Sequence, residues 1–196
     1  PAHRRAAYAG LARGYAALYA DVLPLSSPED AVRGHDRIRI GYISPDLRTH
    51  PVGTLMRPLL HLCDRSRFAV YCYMSGAEDV LSQEFRAAVD AWRNIQGMTA
   101  AEAAALVRSD EIDILVDLAG HTQDNCLPVL AYKPAPVQVT GIGYFNTTGL
   151  PAVDYMLSDV HVDPEGREDA AFTEEMIRLP HSHFCYTLPE DLSAVT

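Results

Sequence analysis

Seven short apolar runs, separated by segments of helical character, constrain the fold of this chain more than any other feature. Arg37–Ser44, Phe68–Met74, Trp92–Ile95, Ile112–Leu118, Val137–Ile142, Val153–Leu157 and Met176–Leu179 read as strands. Ile112–Leu118 is bounded by turn signals, the pattern of a strand buried on both faces. Helices are expected over His3–Asp21, Val52–Cys63, Val80–Ala91, Thr99–Ser109 and Asn125–Ala131. Ala7, Leu11, Tyr15, Leu18 and Tyr19 form an apolar stripe on the first of these, for packing on the sheet or on a missing neighbour. Thr99-Ala100-Ala101-Glu102 matches a capping box. Strands alternating with helices predict a parallel sheet with right-handed crossovers. The expected fold class is α/β, Rossmann-like, with helices on both faces.

The 196 residues fit one domain, or one domain with an appendage. We divide them into an N-terminal helix and linker, 1–36, and a sheet-bearing lobe, 37–196. The chain begins at Pro1 rather than Met and reads as part of a longer protein. A net charge of -10 argues against a nucleic-acid surface, which needs a basic stripe, and against anionic membranes. No apolar run approaches the roughly 20 residues that span a bilayer. No apolar segment of a signal peptide follows Arg4 and Arg5. A cytoplasmic protein is expected, with Cys63, Cys72, Cys126 and Cys185 as reduced thiols, none in C-x-x-C spacing.

No G-x-G-x-x-G follows the first strand, and no phosphate-binding P-loop motif occurs. The chemistry must come from the loops after the strands, where parallel sheets bind ligands. The first loop offers Asp46 and His50, four apart. A histidine exchanges protons near neutral pH and a carboxylate can orient it; the plainer reading is an Asp cap and a solvated His. The second loop offers Asp117, His121, Thr122 and Asn125, with Gly120 leaving room for a ligand. There the plainer reading makes Asp117 and Thr122 turn caps. The third offers Gly143, Tyr144, Asn146, Thr147, Thr148 and Gly149, whose hydroxyls and amides suit sugar hydroxyls or phosphate oxygens. Asn146-Thr147-Thr148 also matches a glycosylation sequon, which the missing secretory signal discounts. Lys133 reads as solvated, or as a phosphate partner. His181 and His183 flank Ser182, but no third ligand is evident and no metal site is expected.

Ser44-Pro45-Asp46, Thr49-His50-Pro51, Ile112–Thr122, Pro134–Thr140 and Gly143–Pro151 together resemble the catalytic region of the O-linked N-acetylglucosamine transferases. The wording is most similar to the SPINDLY-type branch, whose members are protein O-fucosyltransferases. The Arg178–Thr187 tail follows the same branch, so the resemblance covers about Arg37 to Thr187. It implies a GT-B glycosyltransferase with upstream tetratricopeptide repeats, this chain being the N-terminal lobe. The family binds its nucleotide mainly in a C-terminal lobe, so this chain alone is an incomplete catalyst.

The resemblance further implies His50 as general base with Asp46 beside it. It places Pro51 and Val52 at the sugar pocket, where N-acetylglucosamine transferases carry a threonine in the position of Val52. It also brings Ile142 and Gly143 to the sugar; the reading of the loops adds His121, Thr122, Tyr144, Asn146 and Thr147 as sugar or acceptor contacts. Gly141 stands where the family usually has Trp, and Phe145 where it has Pro. A lost indole leaves a cavity costing a few kcal/mol, which Phe145 is expected to refill in part. Three readings follow. The first is transfer of N-acetylglucosamine from UDP-N-acetylglucosamine to Ser or Thr of acceptor proteins. The second is transfer of fucose from GDP-fucose. The third is a degenerate, non-catalytic binding module, which Val52, Gly141 and Phe145 favour.

Overall fold

The computed structural model describes residues 2–31, 34–166 and 169–187. Seven strands form one sheet: β1 (Ile38–Ser44), β2 (Phe68–Met74), β3 (Ala91–Asn94), β4 (Ile114–Asp117), β5 (Val137–Gly141), β6 (Tyr155–Asp159) and β7 (Glu175–Leu179). Their order is β3-β2-β1-β4-β5-β6-β7, and every pairing is parallel. The α/β, Rossmann-like expectation therefore holds. The helices are α1 (Ala2–Ala16), α2 (Pro51–Leu62), α3 (Val80–Ala88), α4 (Ala100–Ser109) and α5 (Leu127–Leu130).

The pleat sends alternate side chains to opposite faces. On one face Ile43, Tyr73 and Leu115 meet Val107 of α4 and Leu127 of α5. On the other, Val70, Cys72, Met74 and Val116 meet Met56 and Leu60 of α2 and Phe85 of α3. Capping fixes the helix starts: Thr99 and Glu102 exchange the expected reciprocal bonds, and Asp79 with Ser82 makes a second box.

The differences from expectation have local causes. α3 ends at Ala88 because Ala91 already pairs with Tyr71 of β2. β5 ends at Gly141 because Ile142 turns to φ 72°. β6 starts at Tyr155, since the Val153 N–H closes a turn onto Leu150 O at 3.1 Å. On α1 the small residues face inward: Ala9 and Ala12 are buried, while Leu11 and Leu18 are 72% and 75% exposed. Gly149 permits the close approach, since a Cβ there would lie 2.4 Å from the Ala12 carbonyl carbon. The segment expected as a linker is docked on the body. Leu25 N–H donates to Tyr132 O at 2.8 Å, and Arg108 meets Asp30 at 3.0 Å. Among the described residues no helix is long and apolar enough to cross a membrane.

Candidate active site

Strand order reverses between β1 and β4, the switch point at which open parallel sheets bind ligands. The loops after those strands border a cavity of about 290 Å³, with Asp46, Arg48, His50, Thr122, Asp124 and Gly143 in its wall. The first and second loops meet here, with Gly143 of the third. Arg48, Gln123 and Asp124 also line it and were not singled out from the sequence.

His50 is the N-cap of α2, with extended backbone, and Pro51 follows at the first helical position. Its Nδ1 accepts the Val52 N–H at 3.2 Å and lies 3.8 Å from Asp46 Oδ2. While Nδ1 accepts, the proton of the neutral ring sits on Nε2. For Nε2 to take a proton, Nδ1 must be the protonated nitrogen, and Asp46 is the carboxylate positioned to receive its N–H. The loop is anchored from below: Thr49 N–H donates to Asp79 at 2.8 Å. Hydrogen bonding from Thr49, then from Ser82, holds Asp79 at about 2. Gly53 lets the loop cross α2, since a Cβ there would fall 2.0 Å from Arg48 O.

After β4, Asp117 is fully buried and turned inward. It accepts from Ala119 N–H at 3.2 Å, Gly120 N–H at 2.8 Å and the Thr140 hydroxyl at 2.8 Å. Burial pushes its carboxyl up, against those three bonds. It is a turn cap tying β4 to β5. Thr122 borders the cavity while its hydroxyl donates to Ala119 O at 2.9 Å. The Asn125 amide donates to Thr122 O at 2.9 Å. His121 turns toward α1: Nε2 donates to Thr148 O at 2.8 Å, and its ring stands edge-on to Tyr15 at 4.9 Å and Tyr144 at 5.6 Å.

After β5, the Gly143 N–H returns to Gly141 O at 3.0 Å, closing a γ-turn around Ile142 at φ 72°. Positive φ at a β-branched residue is an outlier and a seat of local strain. Ile142 packs with Val52 and Leu118 beneath the cavity. Gly143 admits Leu118 O, which a Cβ would meet at 2.1 Å. The three polar residues beyond are committed inward. Asn146 Oδ1 accepts the Thr147 N–H at 2.9 Å. The Thr147 hydroxyl donates to Glu174 at 2.6 Å, and Thr148 donates to Glu174 through its N–H at 2.7 Å and through its hydroxyl. The expected refilling by Phe145 does not occur. A Cβ on Gly141 would already lie 3.0 Å from Leu157, so the strand closes up there. Phe145 is 49% exposed and packs edge-on to Phe184 and His183.

Two further sequence candidates are engaged elsewhere. Lys133 is neither solvated nor placed for phosphate: it is buried, with Nζ 2.6 and 2.5 Å from the Asp154 oxygens. His183 is buried with Nδ1 2.6 Å from Asp159. The backbone N–H of His183, then others at Val162 and His161, hold the Asp159 carboxyl well below the usual range. Among the described residues no group of three or more His, Cys, Asp or Glu side chains is placed to hold a metal ion.

The parallel sheet order, with its cavity of Asp and His at the switch point, defines a Rossmann-like ligand-binding lobe. Residues 18–188 match the model of glycosyltransferase family 41, and the chain belongs to that family. It is 44% identical over 155 residues to an Arabidopsis thaliana protein named probable UDP-N-acetylglucosamine–peptide N-acetylglucosaminyltransferase SPINDLY, covering 76% of this chain and 17% of that protein. A Caenorhabditis elegans UDP-N-acetylglucosamine–peptide N-acetylglucosaminyltransferase is 34% identical, over 79% of this chain and 14% of that protein. The chain thus spans less than a fifth of these curated relatives. A solved mutant O-GlcNAc transferase from Thermobaculum terrenum matches with a TM-score of 0.83 at 40% identity, over 93% of this chain and 35% of that one.

Proposed function

We propose that this chain is the N-terminal lobe of an inverting, metal-independent protein O-glycosyltransferase. It moves N-acetylglucosamine from UDP-N-acetylglucosamine to Ser or Thr hydroxyls of acceptor proteins. The observation that carries this reading is His50 at the mouth of α2, beside Asp46, in the switch-point cavity of a family 41 lobe. Inversion needs a base on the acceptor hydroxyl, opposite the departing diphosphate. His50 takes that proton at Nε2 once Nδ1–H has turned to Asp46. The hydroxyl oxygen attacks the anomeric carbon, and the sugar–phosphate bond breaks with its electron pair on the diphosphate. Positive groups of a C-terminal lobe supply most of the stabilisation of that leaving group. Pro51, Val52, Ile142 and Gly143 shape the sugar side and Thr122 borders it, while His121, Tyr144, Asn146 and Thr147 support the adjoining loop from behind. A second lobe and upstream tetratricopeptide repeats complete a cytoplasmic enzyme.

One feature favours fucose transfer from GDP-fucose instead. Val52 presents no hydroxyl and is buried among Leu47, Met56 and Leu118. Thermal-shift titration of the full-length protein separates the readings, because a ligand of the native state alone raises the melting temperature. A rise with UDP and UDP-N-acetylglucosamine only supports the proposal. A rise with GDP and GDP-fucose only replaces the donor. No rise with any of the four leaves a binding module.

A further inference from the structure

Arg48 lies between Asp46 and His50 in the first loop and lines the same cavity. Among the described lining residues it is the one side chain of fixed positive charge. Its Nη2 is 3.4 Å from Asp46 Oδ1, long for a charge-assisted bond, and its Nε is buried with no partner. Other arginines are held more fully. Arg93 grips Asp110 through Nε at 3.0 Å and Nη2 at 2.8 Å. Arg86 meets the two oxygens of Glu78 at 2.9 and 2.7 Å. A guanidinium is a planar fork of five N–H donors matched to phosphate or carboxylate oxygens. Arg48 therefore brings largely uncommitted donors to the loop that carries His50.

We infer that Arg48 is a donor-binding residue that receives a phosphoryl oxyanion of the donor diphosphate from the side of this lobe. The inference rests on the transferase reading above. In that reading every turnover brings a diphosphate to the carbon being attacked beside His50. A carboxylate near the acceptor hydroxyl, by contrast, depends on acceptor sequence. Asp46 links the two events, since its Oδ1 faces Arg48 at 3.4 Å and its Oδ2 faces His50 Nδ1 at 3.8 Å. An oxyanion that engages Arg48 loosens its hold on Asp46 and leaves that carboxylate to orient His50. Donor binding thereby sets the base.

The test uses the full-length protein and its Arg48→Met and Arg48→Lys forms, titrated calorimetrically with UDP, GDP, uridine and guanosine. The nucleoside diphosphate that binds wild type should bind Arg48→Met about ten-fold or more weakly. Arg48→Lys should recover part of the loss, and nucleoside affinity should stay the same. Donor KM should rise while acceptor KM holds. Equal diphosphate affinity in a folded Arg48→Met protein overturns the inference. So does a loss confined to acceptors with an acidic residue beside the target hydroxyl. Melting temperature reports folding, and Arg48→Gln replaces Arg48→Met if that form does not fold. A wild-type protein that binds neither UDP nor GDP removes the transferase reading, and the inference with it.

Discussion

The ring of His50 stands 3.8 Å from the carboxylate of Asp46 while its Nδ1 caps α2 through the Val52 N–H. Cap and base place different demands on one side chain, and they can be separated. Asn is as good an N-cap as any residue but does not accept a proton. His50→Asn in the full-length enzyme should keep its denaturation midpoint and lose about 10²–10⁴-fold in kcat. His50→Ala should lose the same activity and also about 0.5–2 kcal/mol of stability. Steady-state turnover and urea unfolding measure the two. Normal kcat in His50→Asn would remove His50 from the base role.

Asp79 gives the loop an acid limit. A carboxyl lowered in the folded state stabilises it fully above the unfolded value of 3.8, and that contribution fades as pH falls through about 2. Stability of the full-length protein should therefore drop between about pH 4 and pH 2. The drop should be shallower in Asp79→Asn, whose side chain does not titrate. Denaturant melts across that window check this; equal slopes would place the acid sensitivity elsewhere.

Gly143→Ala drives a methyl into Leu118 O, a backbone atom at 2.1 Å. Neither strand end can yield cheaply, because Asp117 fixes β4 to β5 through Thr140. Overpacking of this kind costs about 1–3 kcal/mol. The variant should unfold earlier in urea and lose most turnover, since the same residue lines the cavity. A Gly143→Ala protein with wild-type stability would contradict the packing described here.

Cysteine reactivity should divide in two. Cys72 and Cys126 are buried, and desolvation pushes both thiols up to about 12. Cys63 and Cys185 are partly exposed. Iodoacetamide at about pH 8 should alkylate Cys63 and Cys185 in the native protein and reach the other two only after unfolding. Peptide mass mapping reads this directly.

The seven strands were legible because apolar runs with turn signals on either side are a local pattern, and Thr99 with Glu102 is a local cap. The loops with Asp46, His50 and Thr122 were legible by position, as strand ends. What sequence spacing did not reveal is pairing at a distance. Lys133 finds Asp154, Asp159 finds His183, and Thr147 finds Glu174. None of these pairs shares an element or a period. Ile142 carries no glycine to announce its positive φ. Arg48 was overlooked because an arginine in a polar loop looks solvated until its neighbours are known.

Glu174 has a consequence for the order in which this lobe is built. The hydroxyls of Thr147 and Thr148 are buried and find their acceptor on a residue 26 or 27 positions later. During synthesis β1 to β5 emerge first and can already stack, while the loop carrying Gly143 still waits for its anchor. Those hydroxyl oxygens accept locally from the Gly149 and Leu150 N–H groups, but their protons gain the Glu174 carboxylate only when it leaves the ribosome and β7 docks. The mouth of the cavity is therefore among the last parts to set, and a nascent chain cut short before β7 would carry most of the sheet behind an unfinished ligand edge.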